Sequence, residues 1–192
     1  MARTCTSPRR PTAVVAATPA DAVVTNVPDL VLWTSFADCV PLLFFDPVRQ
    51  AVGVAHAGWK GTVGNIAGAV VETLRAAFGS DPADVLAVIG PSIGPCCYEV
   101  AEPVISAASD ALGAEVASEV LLRPPGNDRP HFDLWAANVH WLEQAGVHDH
   151  NIVRTRICTA CNVDRFFSHR RENGQTGRCV GVIGLSSGER TR

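Results

Sequence analysis

The spacing of the hydrophobic residues changes near residue 60, and this change constrains the fold more than any other feature of the sequence. Before it, short apolar runs alternate with turn residues, which is typical of buried strands. These runs are Ala22–Thr25, Leu30–Phe36, Pro41–Asp46 and Ala51–His56. After it, apolar residues from Val63 to Phe78 recur at three- and four-residue spacing, as on one face of a helix. Thr62 and Gly79 are predicted to cap that helix.

The second half of the chain continues to alternate between strands and helices. Val85–Ile89 predicts another strand, which is followed by a Gly/Pro-rich loop and a helix near Val104–Leu112. Asp133 is predicted to cap a further helix, and strands are predicted at Ile152–Ile157 and Arg178–Leu185. No internal repeat or change in composition divides the sequence, so we predict one α/β or α+β domain.

Composition excludes several classes of protein. Hydrophobic residues make up 47% of the 192 residues and charged residues 18%, as expected for a chain with a packed core. The net charge of −3 offers no basic field for nucleic acid. No apolar run approaches the roughly 20 residues of a membrane span. Seven cysteines without a secretion signal predict thiols or metal ligands in a cytoplasmic protein, rather than a disulfide framework.

Two segments carry the residues with the clearest chemical potential, Ala37-Asp-Cys-Val-Pro41 and His56-Ala-Gly-Trp-Lys-Gly61. Cys39 and His56 stand at the ends of neighbouring predicted strands, where α/β domains present reactive groups. Three alternatives are open for the pair. His56 activates Cys39 as a nucleophile, or both bind zinc together with one more side chain and water. In the third, Cys39 is a buried apolar residue and His56 an ordinary strand-end histidine.

Four motifs in register resemble those of the laccase-domain, or multicopper polyphenol oxidase, family. They are the two segments above, Ile89-Gly-Pro-Ser-Ile-Gly-Pro95 with Cys97-Tyr-Glu-Val100, and Phe166-Phe-Ser-His-Arg-Arg171 with Thr176-Gly-Arg178. The resemblance implies a mixed α/β fold of the cytotoxic-necrotizing-factor-like cysteine hydrolase type, with a central mixed sheet flanked by helices. We predict that the domain covers residues 21–186, after an irregular leader (1–20) and before a polar tail (187–192).

What this resemblance implies is a zinc-dependent purine nucleoside phosphorylase. Such an enzyme cleaves adenosine, inosine and methylthioadenosine with phosphate, and it also deaminates adenosine. In the family one Cys and two His hold the metal, and the motifs place Cys39 and His56 in two of these positions. The other family His belongs to an upstream Gln-Val-His-Gly motif. No histidine precedes His56 in this sequence, so the chain is predicted to be an N-terminally shortened member, with His169 as the best substitute ligand.

Three further residues are predicted to serve the site. Asp38 is a candidate general acid/base or an orienting neighbour of the metal ligand, with a turn or capping role as the alternative. Arg170 and Arg171 are predicted to bind phosphate or the nucleoside, because guanidinium groups suit phosphate; surface salt bridges are the alternative. Copper is possible at a Cys/His site. Six histidines scattered over loops and helices do not supply a multicopper centre.

The remaining cysteines have several possible roles. Cys158-Thr-Ala-Cys161 is a redox pair, half of a zinc site completed by Cys179 or His169, or a pair of thiols packed at a strand end. The last of these is the interpretation we favour from the sequence. Cys96 and Cys97 are adjacent and too strained to form a disulfide with each other readily.

Purine nucleosides and phosphate are therefore the predicted partners, without nucleic acid or membrane. Three alternatives to the phosphorylase stay open from the sequence. One is a Cys-His amidohydrolase in which Cys39 attacks carbon directly. Another is an inactive shortened homologue, and the third is the copper-dependent polyphenol oxidase that the family's older name suggests.

Overall fold

The computed structural model describes residues 13–14, 21–126 and 129–187, and in this part of the chain strands and helices alternate. The strands are β1 (Ala13–Val14), β2 (Ala22–Thr25), β3 (Val31–Phe36), β4 (Val40–Asp46), β5 (Ala51–Ala57), β6 (Leu86–Ile89), β7 (Leu121–Leu122), β8 (His131–Phe132), β9 (Ile152–Arg154) and β10 (Cys179–Gly184). The helices are α1 (Trp59–Val63), α2 (Ile66–Phe78), α3 (Val104–Val120) and α4 (Leu134–Gln144).

Six strands form a mixed sheet in the order β1-β2-β5-β4-β6-β9. Every pair in it is antiparallel except β6 and β9, which run parallel. Strands β3 and β10 form a separate antiparallel pair, and β7 and β8 form another. The predicted single α/β domain with a central mixed sheet and flanking helices is confirmed.

Strand β5 is buried on both faces, as expected for a strand between two packed layers. On one face Ala51, Ala55 and Ala57 contact the main core, which the helices complete. On the other face Val52 and Val54 form a smaller apolar cluster under the β3–β10 pair. Because side chains alternate along a strand, His56 belongs to the same face as Val52 and Val54. The end of β5 therefore presents His56 toward the β3–β10 layer.

The predicted helix after residue 62 is broken into two, and this corrects the predicted cap. Asn65 caps α2 from a left-handed conformation, its side-chain oxygen accepting the Gly68 N–H at 2.9 Å. Thr62 instead lies fully buried in α1, where it accepts a hydrogen bond from the Asn138 side chain at 3.1 Å. The predicted C-cap, Gly79, is confirmed, with φ +70°.

Two predicted elements differ in length from those observed. The helix predicted near 104–112 continues to Val120, across a break at Gly113 with φ +77°. The strand predicted at 152–157 ends at Arg154, and the chain then bridges to the loop after β6 through Ser92 and Cys158. Residues 13–14 form β1 within the predicted irregular leader, while the rest of that leader and most of the predicted tail lie outside the described residues. No helix in the described ranges is long and apolar enough to cross a membrane.

Candidate active site

Strand pairing brings Cys39 and His56 to the same place. β4 and β5 are antiparallel with Val40 opposite Ala57 and Pro41 opposite His56. Cys39, one residue before β4, therefore lies beside the end of β5. Gly58 marks the point where the two side chains converge: a Cβ built there would lie 3.0 Å from Cys39 Sγ and 3.8 Å from His56 Cε1.

This point opens into a cavity of about 930 Å³ between the β3–β10 layer and the end of the sheet. Aromatic side chains line it at Trp33, Trp59 and Tyr98. The cations Lys60, Arg170 and Arg178 line it as well, together with Asp21, Asp38, Cys39, His56 and His169. The volume is within the range that small-molecule sites occupy. Thiol, imidazole, carboxylate, cationic and aromatic groups thus face one space.

Asp21 orients His56, and sequence reasoning did not identify it. Its Oδ1 lies 3.3 Å from His56 Nδ1, and its backbone carbonyl accepts the His56 N–H at 2.7 Å. A carboxylate at one ring nitrogen fixes the tautomer and orientation of a histidine and leaves Nε2 for a metal or substrate. Asp21 directly precedes β2, which pairs with β5. Asp21 therefore approaches His56 because of the order of the strands in the sheet, which cannot be read from the sequence.

The Cys39 thiol is not activated as a nucleophile by its surroundings. Burial raises its pKa above the ordinary value, and the charges of Asp38 and Asp21 raise it further, whereas Arg178 lowers it. Nucleophilic cysteines instead have lowered pKa values, because the thiolate is the reactive form. A bound cation would reverse this balance, since metal ligation deprotonates a thiol outright.

Asp38 ties three segments together at the edge of the cavity. Its carboxylate accepts hydrogen bonds from Thr159 Oγ1 at 2.7 Å and from the Arg170 backbone N–H at 2.6 Å. Its backbone carbonyl accepts the Ile93 N–H at 2.8 Å. The residue is 7% exposed and has φ +83°. Of its predicted roles, this geometry favours the orienting one, because both carboxylate oxygens already hold protein donors.

The predicted arginine pair is divided. Arg170 lines the cavity, with its guanidinium 5.2 Å from the Tyr98 ring and one N–H donated to the Glu99 carbonyl at 3.0 Å. Arg171 is exposed and is not among the residues that line this cavity. Arg178, which belongs to the same C-terminal motif, does line it. The structure therefore places Arg170 and Arg178 together, and no contact of the described residues brings Arg171 to the same space.

In the part of the chain that the structure describes, no histidine lies close enough to both Cys39 and His56 to serve as a third metal ligand. His169 is the one other histidine that lines the cavity. Among the described residues, however, no third His, Cys or carboxylate joins Cys39 and His56 in a group whose ligand atoms all lie within 4.8 Å of one another. Such a group is found elsewhere, in four cysteines: Cys96, Cys97, Cys158 and Cys161. Cys179 and His169, the partners that the sequence analysis considered for Cys158 and Cys161, are not in this group.

Comparison with known proteins places the chain in a family. The profile described as multi-copper polyphenol oxidoreductase laccase matches residues 3–186. This chain belongs to that family. The membership predicted from the four motifs is confirmed.

Several members of the laccase family are similar to this chain in sequence or in fold. The purine nucleoside phosphorylase YlmD of Bacillus subtilis is 40% identical over 166 residues, 86% of this chain and 58% of the relative. The adenosine deaminase RL5 of an unknown prokaryotic organism is 40% identical over 158 residues, 82% of this chain and 59% of the relative. The crystal structure of YlmD from Geobacillus stearothermophilus superposes with a TM-score of 0.81 at 39% identity, covering 88% of this chain and 62% of that one. This laccase-family chain thus spans about three fifths of the length of these relatives.

Zinc suits the donors that Cys39 and His56 provide, because a thiolate and an imidazole are ligands that it prefers. Catalytic zinc sites use three protein ligands and keep one position open. The described residues provide two at this place. Asp21 beside His56 supplies the carboxylate that usually supports a metal-binding imidazole. The donor set therefore suits zinc, with two ligands and a supporting carboxylate among the described residues.

Substituting Gly58 with alanine tests whether the reaction takes place at the point where the Cys39 and His56 side chains converge. Gly58 has φ −69° and ψ 178°, which alanine adopts freely, so the fold tolerates the change. The added methyl group would lie 3.0 Å from Cys39 Sγ and must displace it. We expect the rate of the reaction catalysed at this site to fall about 10- to 100-fold, while the circular dichroism spectrum of the protein stays unchanged. Gly181→Ala, whose Cβ meets nothing closer than 3.4 Å, is the matched control and should retain full activity.

Proposed function

We propose that this protein is a zinc-dependent purine nucleoside phosphorylase with a second activity as an adenosine deaminase. The observation that carries the proposal is the convergence of Cys39 and His56 beside Gly58, inside a cavity that also holds cationic and aromatic side chains. Relatives named as a purine nucleoside phosphorylase and as an adenosine deaminase support it. The substrates proposed are adenosine, inosine and methylthioadenosine, with phosphate as the second reactant.

The aromatic and cationic groups of the cavity suit the two parts of this reaction. Tyr98 is half-buried on the wall and carries the Arg170 guanidinium on its ring. A purine gains from stacking on such rings. Arg170 and Arg178 supply the charge that phosphate needs, since guanidinium groups hold phosphate oxygens bidentately. Arg171, outside the lining, is proposed to contribute only through the long-range charge of its loop.

In phosphorolysis the bond between the purine nitrogen and the ribose carbon breaks, and a phosphate oxygen forms the new bond to that carbon. The purine leaves with its bonding electron pair and must gain a proton or a hydrogen bond. In this scheme Cys39 and His56 hold zinc, Asp21 orients His56, and Arg170 with Arg178 positions phosphate. When bound, zinc acts as a Lewis acid and lowers the pKa of water, as deamination at the purine ring requires.

A phosphate-dependence assay tests this function directly. Inosine is incubated with the zinc-loaded protein, with and without inorganic phosphate, and hypoxanthine is followed by chromatography. We expect hypoxanthine and ribose 1-phosphate only when phosphate is present, and conversion of adenosine to inosine in a parallel reaction. Release of hypoxanthine without phosphate would indicate a hydrolase, and no release from any purine nucleoside would overturn the proposal.

Thiol labelling separates this proposal from a Cys-His amidohydrolase. A nucleophilic Cys39 would react rapidly with iodoacetamide at neutral pH. Under the zinc proposal Cys39 is shielded in the loaded protein. After chelation it reacts slowly, because burial raises the pKa of its thiol. Peptide mass spectrometry locates the label, and Cys179, a half-buried thiol on β10, serves as the internal reference.

A further inference from the structure

Four cysteines from two segments distant in sequence form a group that does not include Cys39 or His56. Cys96 and Cys97 belong to the Gly/Pro-rich loop between β6 and α3. Cys158 precedes, and Cys161 ends, a single 3-10 turn (Thr159–Cys161) after β9. The two segments are joined by backbone hydrogen bonds: Ser92 N–H donates to the Ile157 carbonyl at 3.1 Å. Thr159 N–H donates to the Ser92 carbonyl at 3.0 Å. The fold therefore fixes both segments before any metal or bond links the sulfurs.

The sulfur positions match the dimensions of a tetrahedral metal site. Cys161 Sγ lies 3.6 Å from Cys96 Sγ and 3.4 Å from Cys97 Sγ, and all four sulfurs lie within 4.8 Å of one another. Zinc–sulfur bonds of about 2.3 Å at tetrahedral angles place sulfurs about 3.8 Å apart. A disulfide requires about 2.05 Å, and Cys161 has two neighbouring sulfurs at similar distances rather than one. The arrangement resembles a ligand shell more than a bonded pair.

The surroundings of Cys158 also suit a metal-bound thiolate. Its sulfur accepts the Gly94 N–H at 3.2 Å, and it is the buried member of the group while Cys96 and Cys161 face solvent. Hydrogen bonds from backbone N–H groups stabilise negative charge on sulfur. A set of four thiolates in tetrahedral geometry selects zinc or an iron–sulfur cluster among biological metals. Because no two of the four sulfurs are more than 4.8 Å apart, they suit a single ion rather than a cluster of several metal atoms.

We propose that Cys96, Cys97, Cys158 and Cys161 bind a structural zinc ion, separate from the proposed catalytic zinc at Cys39 and His56. The position of this ion indicates which parts of the cavity it would stabilise. Tyr98, next to Cys97, lines the cavity and carries Arg170, and Thr159, next to Cys158, holds the Asp38 carboxylate. One ion would therefore link the loop that carries Tyr98 to the turn that supports Asp38. All four positions of a structural site are filled by protein, so this zinc binds no substrate.

Metal analysis on variants tests the site without relying on activity. The doubly substituted Cys39→Ser/His56→Ala protein, purified with zinc and gel-filtered, is expected to retain one zinc per chain. Cys161→Ser is expected to lose one zinc per chain relative to the unaltered protein, with its melting temperature lower by about 5–10 °C. Cys179→Ser, which removes a thiol outside the cluster, is expected to lose none. Zinc absent from the first variant would overturn the proposal, whatever its effect on phosphorolysis.

Cobalt substitution gives a second readout if Cys161→Ser fails to fold. The doubly substituted protein, refilled with cobalt(II), is expected to show the thiolate-to-cobalt charge-transfer bands and intense visible bands of a tetrahedral sulfur site. Two other results would contradict a zinc site. The first is iron together with acid-labile sulfide in the purified protein. The second is a mass two hydrogens below the reduced value, with a disulfide mapped among the four cysteines.

Discussion

His56→Ala is expected to lower phosphate-dependent hypoxanthine release by about 10³-fold or more. The loss follows because His56 provides one of only two metal donors that converge beside Gly58 among the described residues. A single sulfur does not hold zinc, and without the ion the several kcal/mol of charge stabilisation that it supplies are absent. The measurement is initial rate with saturating phosphate, together with the zinc content of each protein.

Two further variants make this result specific to the metal-holding role. His148→Ala removes an exposed histidine whose ring stacks on His150, and it should leave both rate and zinc content unchanged. Asp21→Asn should lower the rate by about 10- to 100-fold, as loss of a supporting carboxylate does at other metal sites. A His56→Ala protein that kept its rate would contradict the proposed catalytic site, and one that lost its rate but kept this zinc would assign His56 another role.

The strands and the family motifs were accessible from the sequence because both are local. Alternating short apolar runs define β2 to β5 within one or two residues, and the motif segments around Cys39 and His56 are continuous in the chain. Their convergence was also predictable, since a short connection between β4 and β5 makes the two strands neighbours. The start of α2 at Asn65 was not predictable in this way, because Thr62 is also a favoured N-cap residue. In the structure Thr62 instead accepts a buried hydrogen bond from Asn138.

Residues that meet through strand order or loop docking were inaccessible. Asp21 reaches His56 because β2 lies on the far side of β5 from β4, and no spacing in the sequence indicates this order. The four-cysteine cluster forms because β9 adds to the sheet in parallel beside β6. That pairing brings the segment after β9 against the loop after β6. The C-x-x-C pair and the Cys-Cys pair are more than 60 residues apart, and neither indicates that it lies beside the other. Their approach depends on a parallel pairing between strands that are distant in the sequence.

Asp38→Ala is expected to lower kcat/KM by about 100-fold and to destabilise the fold, whereas Asp38→Asn should retain the rate within about tenfold. Alanine leaves the Thr159 hydroxyl and the Arg170 N–H without their acceptor, and each buried unpaired donor costs about 1–3 kcal/mol. Asparagine offers its oxygen to the Arg170 N–H and its amide to the Thr159 hydroxyl, which is able to accept. It also tolerates φ +83°.

The two substitutions distinguish orientation from proton transfer, because asparagine preserves the hydrogen bonds but cannot exchange a proton. If Asp38 were a general acid or base, Asn and Ala would lower kcat alike and remove the corresponding limb of the pH–rate profile. An orienting Asp38 predicts instead that Asn keeps the profile and that Ala raises KM for phosphate as Arg170 moves. Asp29→Ala is the matched control, since Asp29 also has positive φ, at 63°, but is exposed and does not line the cavity. Its loss should change neither parameter.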